Sequence, residues 1–266
     1  MTLNVASFAT AVRTQNPLVH NITNYVAAPL QANALSAVGA SPIMADAPEE
    51  SAQMAALSNV LAVNIGTLHK SSIAAMHLAM QSANEKGIPV IFDPVGVGAT
   101  AFRQETAQDL LNKHSVSVIR ANASEIAVLA QAGQGGKGID AGEVKADLPA
   151  LARAVAEKYS CVVAMTGATD YITNGKITYL CRNGHPLMAA LVGTGCTASS
   201  VVAAFVGAHP NTPLEAACAA LSYYGLCGQV AAAVSKGPGS LNAAFLDALY
   251  TLSAKEIERN SLITTL

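Results

Sequence analysis

The chain has 266 residues, with 15 Lys+Arg against 17 Asp+Glu, a formal net charge of -2, 12% charged residues and 52% hydrophobic ones. That balance excludes the basic footprint of a nucleic-acid binder, and the hydrophobic content excludes intrinsic disorder. So few charges would cover the roughly 11,000 Å² surface of a folded monomer of this mass only thinly, which predicts that part of it is buried against further copies of the chain.

Short β-rich runs alternate with amphipathic helical runs along the chain. Residues 41–44 read as a short strand, with a helix starting at Pro48-Glu49-Glu50. Residues 60–65 form a buried strand ending in Gly66-Thr67. Residues 70–86 have helix periodicity through Ile73, Met76, His77 and Met80, stopped by Gly87. A strand over 88–92 ends at Asp93-Pro94, a helix covers 101–113, and a strand 116–119 precedes a helix over 122–131 ended by Gly133. A helix over 148–159 leads to a strand over 161–165. Then comes a hairpin, residues 171–173 and 176–180 joined by an Asn174-Gly175 turn. The last third is nearly all helical. This is an α/β domain spanning residues 1–266, with a mostly parallel sheet, a hairpin and a helical C-terminal layer.

Between Arg182 and Lys236 the only formal charge is Glu215, and the uncharged stretches 187–208 and 216–235 are each long enough to span a bilayer. They consist mainly of small residues with few Leu, Ile or Phe and lack flanking basic clusters, so they are expected to be buried helices and not membrane spans. The N-terminus shows no signal peptide, and the five scattered Cys include no CxxC pair, which reads as cytoplasmic and reduced. Cys181 and His185 are too few to make a metal site.

Ligands of open α/β sheets bind beyond the carboxyl ends of the strands, so the residues just after each strand carry the chemistry. In Val192-Gly193-Thr194-Gly195-Cys196-Thr197, two glycines allow close backbone approach and a helix begins at once, which makes an anion site; tight helix packing is the alternative. The match to a dinucleotide fingerprint is rejected, because Thr212-Pro213-Leu214-Glu215 reads as a capping box and a helix follows where a strand is needed. Gly135-Gly136-Lys137-Gly138 lacks the flanking elements of a phosphate loop and reads as a surface loop. Asp93 is either a turn-capping residue before Pro94 or a Mg²⁺ ligand. Glu125 is either the third helical residue of a capping box with Asn122 or a second Mg²⁺ carboxylate. Together with an anion-binding helix terminus, the two suggest metal-nucleotide phosphoryl transfer.

The ordered set Asp93-Pro-Val-Gly-Val-Gly, Asn122-x-x-Glu125, Thr166-Gly167 and Gly193-Thr-Gly-Cys196 resembles the ribokinase-like superfamily. His20-Asn-Ile-Thr-Asn24, Ser41-Pro-Ile-Met44, Asn64-Ile-Gly-Thr67 and Lys236-Gly-Pro-Gly-Ser240 narrow the resemblance to its hydroxyethylthiazole kinase family, over essentially the whole chain. The resemblance implies a ribokinase-like fold without a separate lid domain. It implies phosphorylation of 4-methyl-5-(2-hydroxyethyl)thiazole by ATP with Mg²⁺, in thiamine salvage, by a cytoplasmic homotrimer with sites between subunits. It further implies that Met44, Gly193 and Asn24 meet the substrate, Arg120 and Thr166 the nucleotide, and Asp93 and Glu125 the Mg²⁺. Gly193, Thr194, Gly195 and Cys196 would hold the transferring phosphoryl group, with Cys196 where the wider superfamily has an aspartate base. Two other readings are another ribokinase-like enzyme of pyrimidine, pyridoxal or nucleotide-repair type, and a non-catalytic oligomeric or membrane module.

Overall fold

The alternating side-chain directions of the strands sort the interior into two layers, one on each face of a central sheet. A computed structural model describes residues 3–131 and 147–266. The chain runs α1 (Val5–Gln15), β1 (Leu18–Ile22), α2 (Ala28–Val38), β2 (Ser41–Ile43), α3 (Pro48–Leu57), β3 (Val60–Asn64), α4 (Lys70–Lys86), β4 (Val90–Asp93), α5 (Ala101–Lys113), β5 (Val118–Asn122) and α6 (Ala123–Gln131). It continues with α7 (Leu148–Tyr159), β6 (Val162–Thr166), β7 (Asp170–Thr173), β8 (Thr178–Cys181), a 3₁₀ turn (Pro186–Ala190), α8 (Thr194–Ala208), α9 (Pro213–Val234), α10 (Pro238–Thr251), α11 (Ala254–Asn260) and β9 (Ile263–Thr265). Gly133 and the loop 135–138 lie outside the described residues.

Among the described residues the strands form one sheet in the order β2-β1-β3-β4-β5-β6-β7-β8-β9, parallel as far as β6 and antiparallel beyond it. Val60, Ala62, Ile91, Val118, Val162 and Ala164 face one layer, built from α1, α2 and α8–α11. Their neighbours Leu61, Val63, Phe92, Ile119, Val163 and Met165 face the other, built from α3–α7. Both faces are covered, so the parallel strands are apolar throughout.

The helices start where their caps dictate. His69 Nδ1 accepts from the Ser72 N–H at 3.1 Å in a reciprocal capping box, and Gly87 ends α4 in the left-handed region. Thr100 begins α5 and Asp147 begins α7 in the same manner, each with a side-chain oxygen on a first-turn N–H.

The strand read over 116–119 runs instead from Val118 to Asn122, and four further features depart from the sequence expectation. The hairpin pairs Thr173 with Thr178, so its loop has four residues, 174–177, and not two. The Asn174 side-chain oxygen accepts from the N–H groups of Lys176 and Ile177, and that Asx arrangement takes up the two extra residues. Thr212 does not cap α9 with its side chain, so no capping box forms there. The chain ends in a short strand on β8, and its first 38 residues, which gave no clear periodicity, build α1, β1 and α2. The helix α9, whose only formal charge is Glu215, is long and apolar enough to cross a membrane, yet 72% of its most apolar window is buried within the fold.

Candidate active site

The carboxyl ends of β1, β3, β4, β5 and β6 lie side by side, and α8 begins above them. Asn64 ends β3 in register with Asp93 at the end of β4, and Asn122 ends β5 in register with Thr166 at the end of β6. A chain of hydrogen bonds links these ends. Asn24 Nδ2 donates to Asn64 Oδ1 at 3.0 Å and to Cys196 Sγ at 3.2 Å. Asn64 Nδ2 in turn donates to Asp93 Oδ2 at 2.8 Å, and Ser199 Oγ donates to the same oxygen at 2.7 Å. Asp93 is buried, and its second oxygen, Oδ1, has no hydrogen-bond partner.

Burial pushes the Asp93 carboxyl up to about 6; the Arg120 guanidinium opposes this, and the Glu125 charge adds to it. Arg120 Nη1 stands 3.9 Å from Asp93 Oδ2, and Nη2 donates to Thr166 Oγ1 at 2.5 Å. Asp170 behaves similarly: burial raises it to about 6, against the Gly167 N–H and Arg120. Burial and then the Asp93 charge raise the Cys196 thiol, while hydrogen bonds from Asn64 and Asn24 and the charge of Arg120 work in the opposite direction. At neutral pH the thiol is therefore protonated.

Glu125 sits in the first turn of α6 and makes the capping box that was one of its two sequence readings. Its Oε2 accepts from the Asn122 N–H at 2.9 Å while Asn122 Oδ1 accepts from the Glu125 N–H at 2.9 Å, a capping box. Its Oε1 accepts from the Gly96 N–H at 2.8 Å, so the carboxylate is turned towards the loop that follows Asp93.

The start of α8 differs from the capped helices. Gly193 occupies its N-cap with φ +92° and no side chain caps the helix; the Thr194 N–H turns back to Leu191 O, which leaves the Gly195 and Cys196 N–H groups and the positive end of the dipole to an anion. Glycine is required at Gly193 and crowded at Gly195, where the tip of a side chain would have to shift. A Cβ on Gly193 would be strained and 3.1 Å from Ala27 Cβ, and one on Gly195 would stand 3.2 Å from Arg120 Nη1. On the Arg120 side lies a cavity of about 570 Å³ lined by Arg120, Thr166, Gly167, Asp170, His185 and Tyr224 among others, a volume that suits a nucleotide. Met44 and Asn24 do not line it. Met44, half-buried, follows β2, and the buried His20 side chain holds the next residue through Nε2 and the Ala45 carbonyl at 2.6 Å.

The structure thus brings Asn24, Asp93, Arg120, Thr166 and Cys196 into one network, with Glu125 reaching it through the Gly96 loop. Sequence reasoning gave no role to Asn64, Ser199 or Asp170. Ser199 had a usable signal, one helical turn after Cys196. Among the described residues no cluster of three or more His, Cys, Asp or Glu side chains forms a metal cage. The orphaned Asp93 Oδ1 beside a second carboxylate fits an ion such as Mg²⁺, which takes few protein ligands and keeps its waters.

A mostly parallel sheet with an uncapped, glycine-started helix at its carboxyl edge is the arrangement this chain shares with ribokinase-like proteins. A ribokinase-like superfamily protein from Enterococcus faecalis shares the fold at TM-score 0.64 and 12% identity, over 96% of each chain. The hydroxyethylthiazole kinase family matches residues 9–255, and the chain belongs to that family. A hydroxyethylthiazole kinase from Moorella thermoacetica is 47% identical over 98% of both chains. The structure of the hydroxyethylthiazole kinase protein from Pyrococcus horikoshii superposes at TM-score 0.91 with 35% identity, covering 98% of both chains.

Proposed function

We propose that this single-domain kinase transfers the γ-phosphoryl group of ATP to the hydroxyl of 4-methyl-5-(2-hydroxyethyl)thiazole, supplying the monophosphate for thiamine salvage in the cytoplasm. The observation that carries the reading is the uncapped start of α8, set between the Asn24–Asn64–Asp93 chain and the cavity at Arg120.

ATP would occupy that cavity, with Arg120, held by Thr166, neutralising phosphate charge. Residues 193–196 would receive the migrating phosphoryl group, whose loose transition state responds mainly to positioning and charge. Asp93 and Glu125 are the carboxylates that would hold Mg²⁺, which when bound offsets charge on the phosphates. Met44, Asn24 and Gly193 would contact the thiazole alcohol and orient its oxygen in line with the bond to ADP that breaks. As the oxygen–phosphorus bond forms, the hydroxyl proton leaves. Cys196 is the nearest candidate acceptor, and its protonated state at neutral pH makes that contribution small.

The substrate side supports a homotrimer with sites between subunits. Tyr25, Val26 and Val192 flank the Gly193–Ala27 contact and are 76%, 57% and 74% exposed in one chain, so an apolar rim surrounds the place where a thiazole would lie. An ADP-release assay with the thiazole alcohol, pyridoxal and a hydroxymethylpyrimidine tests the reading. Turnover on the thiazole alcohol at least 100-fold above the other two, about the discrimination that pocket shape can supply, is the expected result. Equal or greater turnover on either alternative overturns it.

A further inference from the structure

Arg103 lies in the first turn of α5, its N–H bonded to Thr100 Oγ1. Its guanidinium makes three hydrogen bonds, all to main-chain carbonyls. Nη1 donates to Ile65 O at 2.7 Å and Val95 O at 2.8 Å, and Nη2 donates to Gly66 O at 2.7 Å. Ile65 and Gly66 directly follow Asn64 at the end of β3, and Val95 lies two residues after Asp93 at the end of β4. One rigid fork therefore joins the two segments that leave the adjacent strand ends bearing Asn64 and Asp93.

The Val95 carbonyl and the Gly96 N–H belong to one peptide unit. Arg103 holds its oxygen and Glu125 Oε1 holds its N–H at 2.8 Å. The Val97 N–H donates to Pro94 O at 3.0 Å, and Gly96, with φ +66°, is the only positive-φ residue in Pro94–Val97, the pattern of a type II turn. The central peptide of such a turn can rotate to the type I arrangement, which would carry the Gly96 N–H away from Glu125. Nothing in the turn itself prevents this; the clamps at its two ends do.

We propose that Arg103 is a positioning residue: it locks the Val95–Gly96 peptide in the orientation that aims the Glu125 carboxylate and holds the Asp93 segment against the Asn64 loop. Its consequence for turnover rests on the proposed phosphoryl transfer; the lock itself does not. Loss of the fork frees the peptide and loosens the Gly66 segment that packs on Asn24 and Asn64, while Met44 and the nucleotide cavity hold no partner of the fork.

Arg103→Lys and Arg103→Gln test this, with circular dichroism confirming the fold; Lys, a single point donor, carries the test if Gln does not fold. Amide exchange at Gly96, followed by NMR, should quicken by about tenfold or more, the loss of one charge-assisted hydrogen bond. In the enzyme assay kcat should fall by about 10- to 100-fold, as misplacement of a reacting group does. The KM for the thiazole alcohol should change much less than kcat, because the fork donates to none of the residues placed on the substrate. The Mg²⁺ concentration for half-maximal rate should rise, with Lys less affected than Gln. Folded variants that keep parental Gly96 exchange, or that lose kcat and thiazole KM together without a change in Mg²⁺ dependence, overturn the assignment. A parent protein inactive on the thiazole alcohol overturns the proposed substrate instead, and the exchange measurement still decides the lock.

Discussion

Asp93 sets burial against charge. Its folded value of about 6 lies above the ordinary 3.8, so between those pH values the folded protein holds a proton that the unfolded chain has released. The group therefore favours the fold at low pH, and this contribution is lost as pH rises through 6. Asp93→Asn removes a buried charge whose Oδ2 already has two donors. The variant should melt no lower than the parent at pH 7.5 while kcat falls by orders of magnitude, and a thermal melt beside an activity assay checks both. A destabilised yet active variant would contradict the role assigned to this carboxylate. In the parent, kcat/KM at subsaturating Mg²⁺ should decline below pH 6 as the carboxyl takes up its proton. Cys196 is a different case, because its thiol is held above its ordinary pKa by burial. Cys196→Ala should retain kcat within about tenfold at pH 7, below the usual range for a general base. The parent's advantage over Ala should widen towards pH 9; parallel pH profiles would make the thiol a packing group.

The helix α8 works through its first turn. Gly195→Ala would place a methyl 3.2 Å from Arg120 Nη1 and push the guanidinium off Thr166. The KM for ATP should rise more than that for the thiazole alcohol, and steady-state kinetics with each substrate varied would show it. Gly193→Ala, forced into a left-handed backbone at φ +92°, should cost about 1–2 kcal/mol in addition, read as a lower melting temperature. At this scale the sequence was most legible where a local signal coincides with the tertiary role. Lys70–Lys86, Ala101–Lys113 and Leu148–Tyr159 were placed to the residue because caps and periodicity agree. The strand-end positions of Asp93 and Thr166 followed from apolar runs that stop at polar residues. The Asn64 relay was hidden, since the apolar run was read through Ile65 and so left Asn64 inside the strand instead of at its end. Arg103 was hidden too, because the carbonyls it binds belong to residues 65, 66 and 95, and no helix pattern reports them. The early segment 5–38 escaped because its small, mixed side chains give neither period clearly.

For the whole molecule, the shortage of charge and the exposed apolar rim at Tyr25, Val26 and Val192 have one account, burial against another copy. Val26→Asp should leave the isolated fold intact, since this residue is 57% exposed in one chain, but should dissociate the proposed trimer and reduce turnover. Sedimentation equilibrium distinguishes the outcomes; an active trimeric variant would mean the rim is simply surface. Ala219→Glu, at a fully buried position of α9, should instead prevent folding altogether.

The two layers of the sheet have unequal origins in the chain. The α3–α7 layer comes from one continuous stretch, whereas the α1, α2 and α8–α11 layer is assembled from the two ends. During synthesis the strands from β1 to β6 can pair in turn as they leave the ribosome, with the first layer closing over them. The opposite face, with Val60, Ala62, Ile91, Val118 and Val162, then waits bare until the last third of the polypeptide emerges. Stalled chains ending near residue 190 should accordingly bind trigger-factor-like holdases and be cut readily by protease, and release of the final 70 or so residues should abolish both. The helices at the carboxyl end thus act as a late cover, and the moment they dock is the moment the turn of α8 proposed to bind phosphate comes into existence.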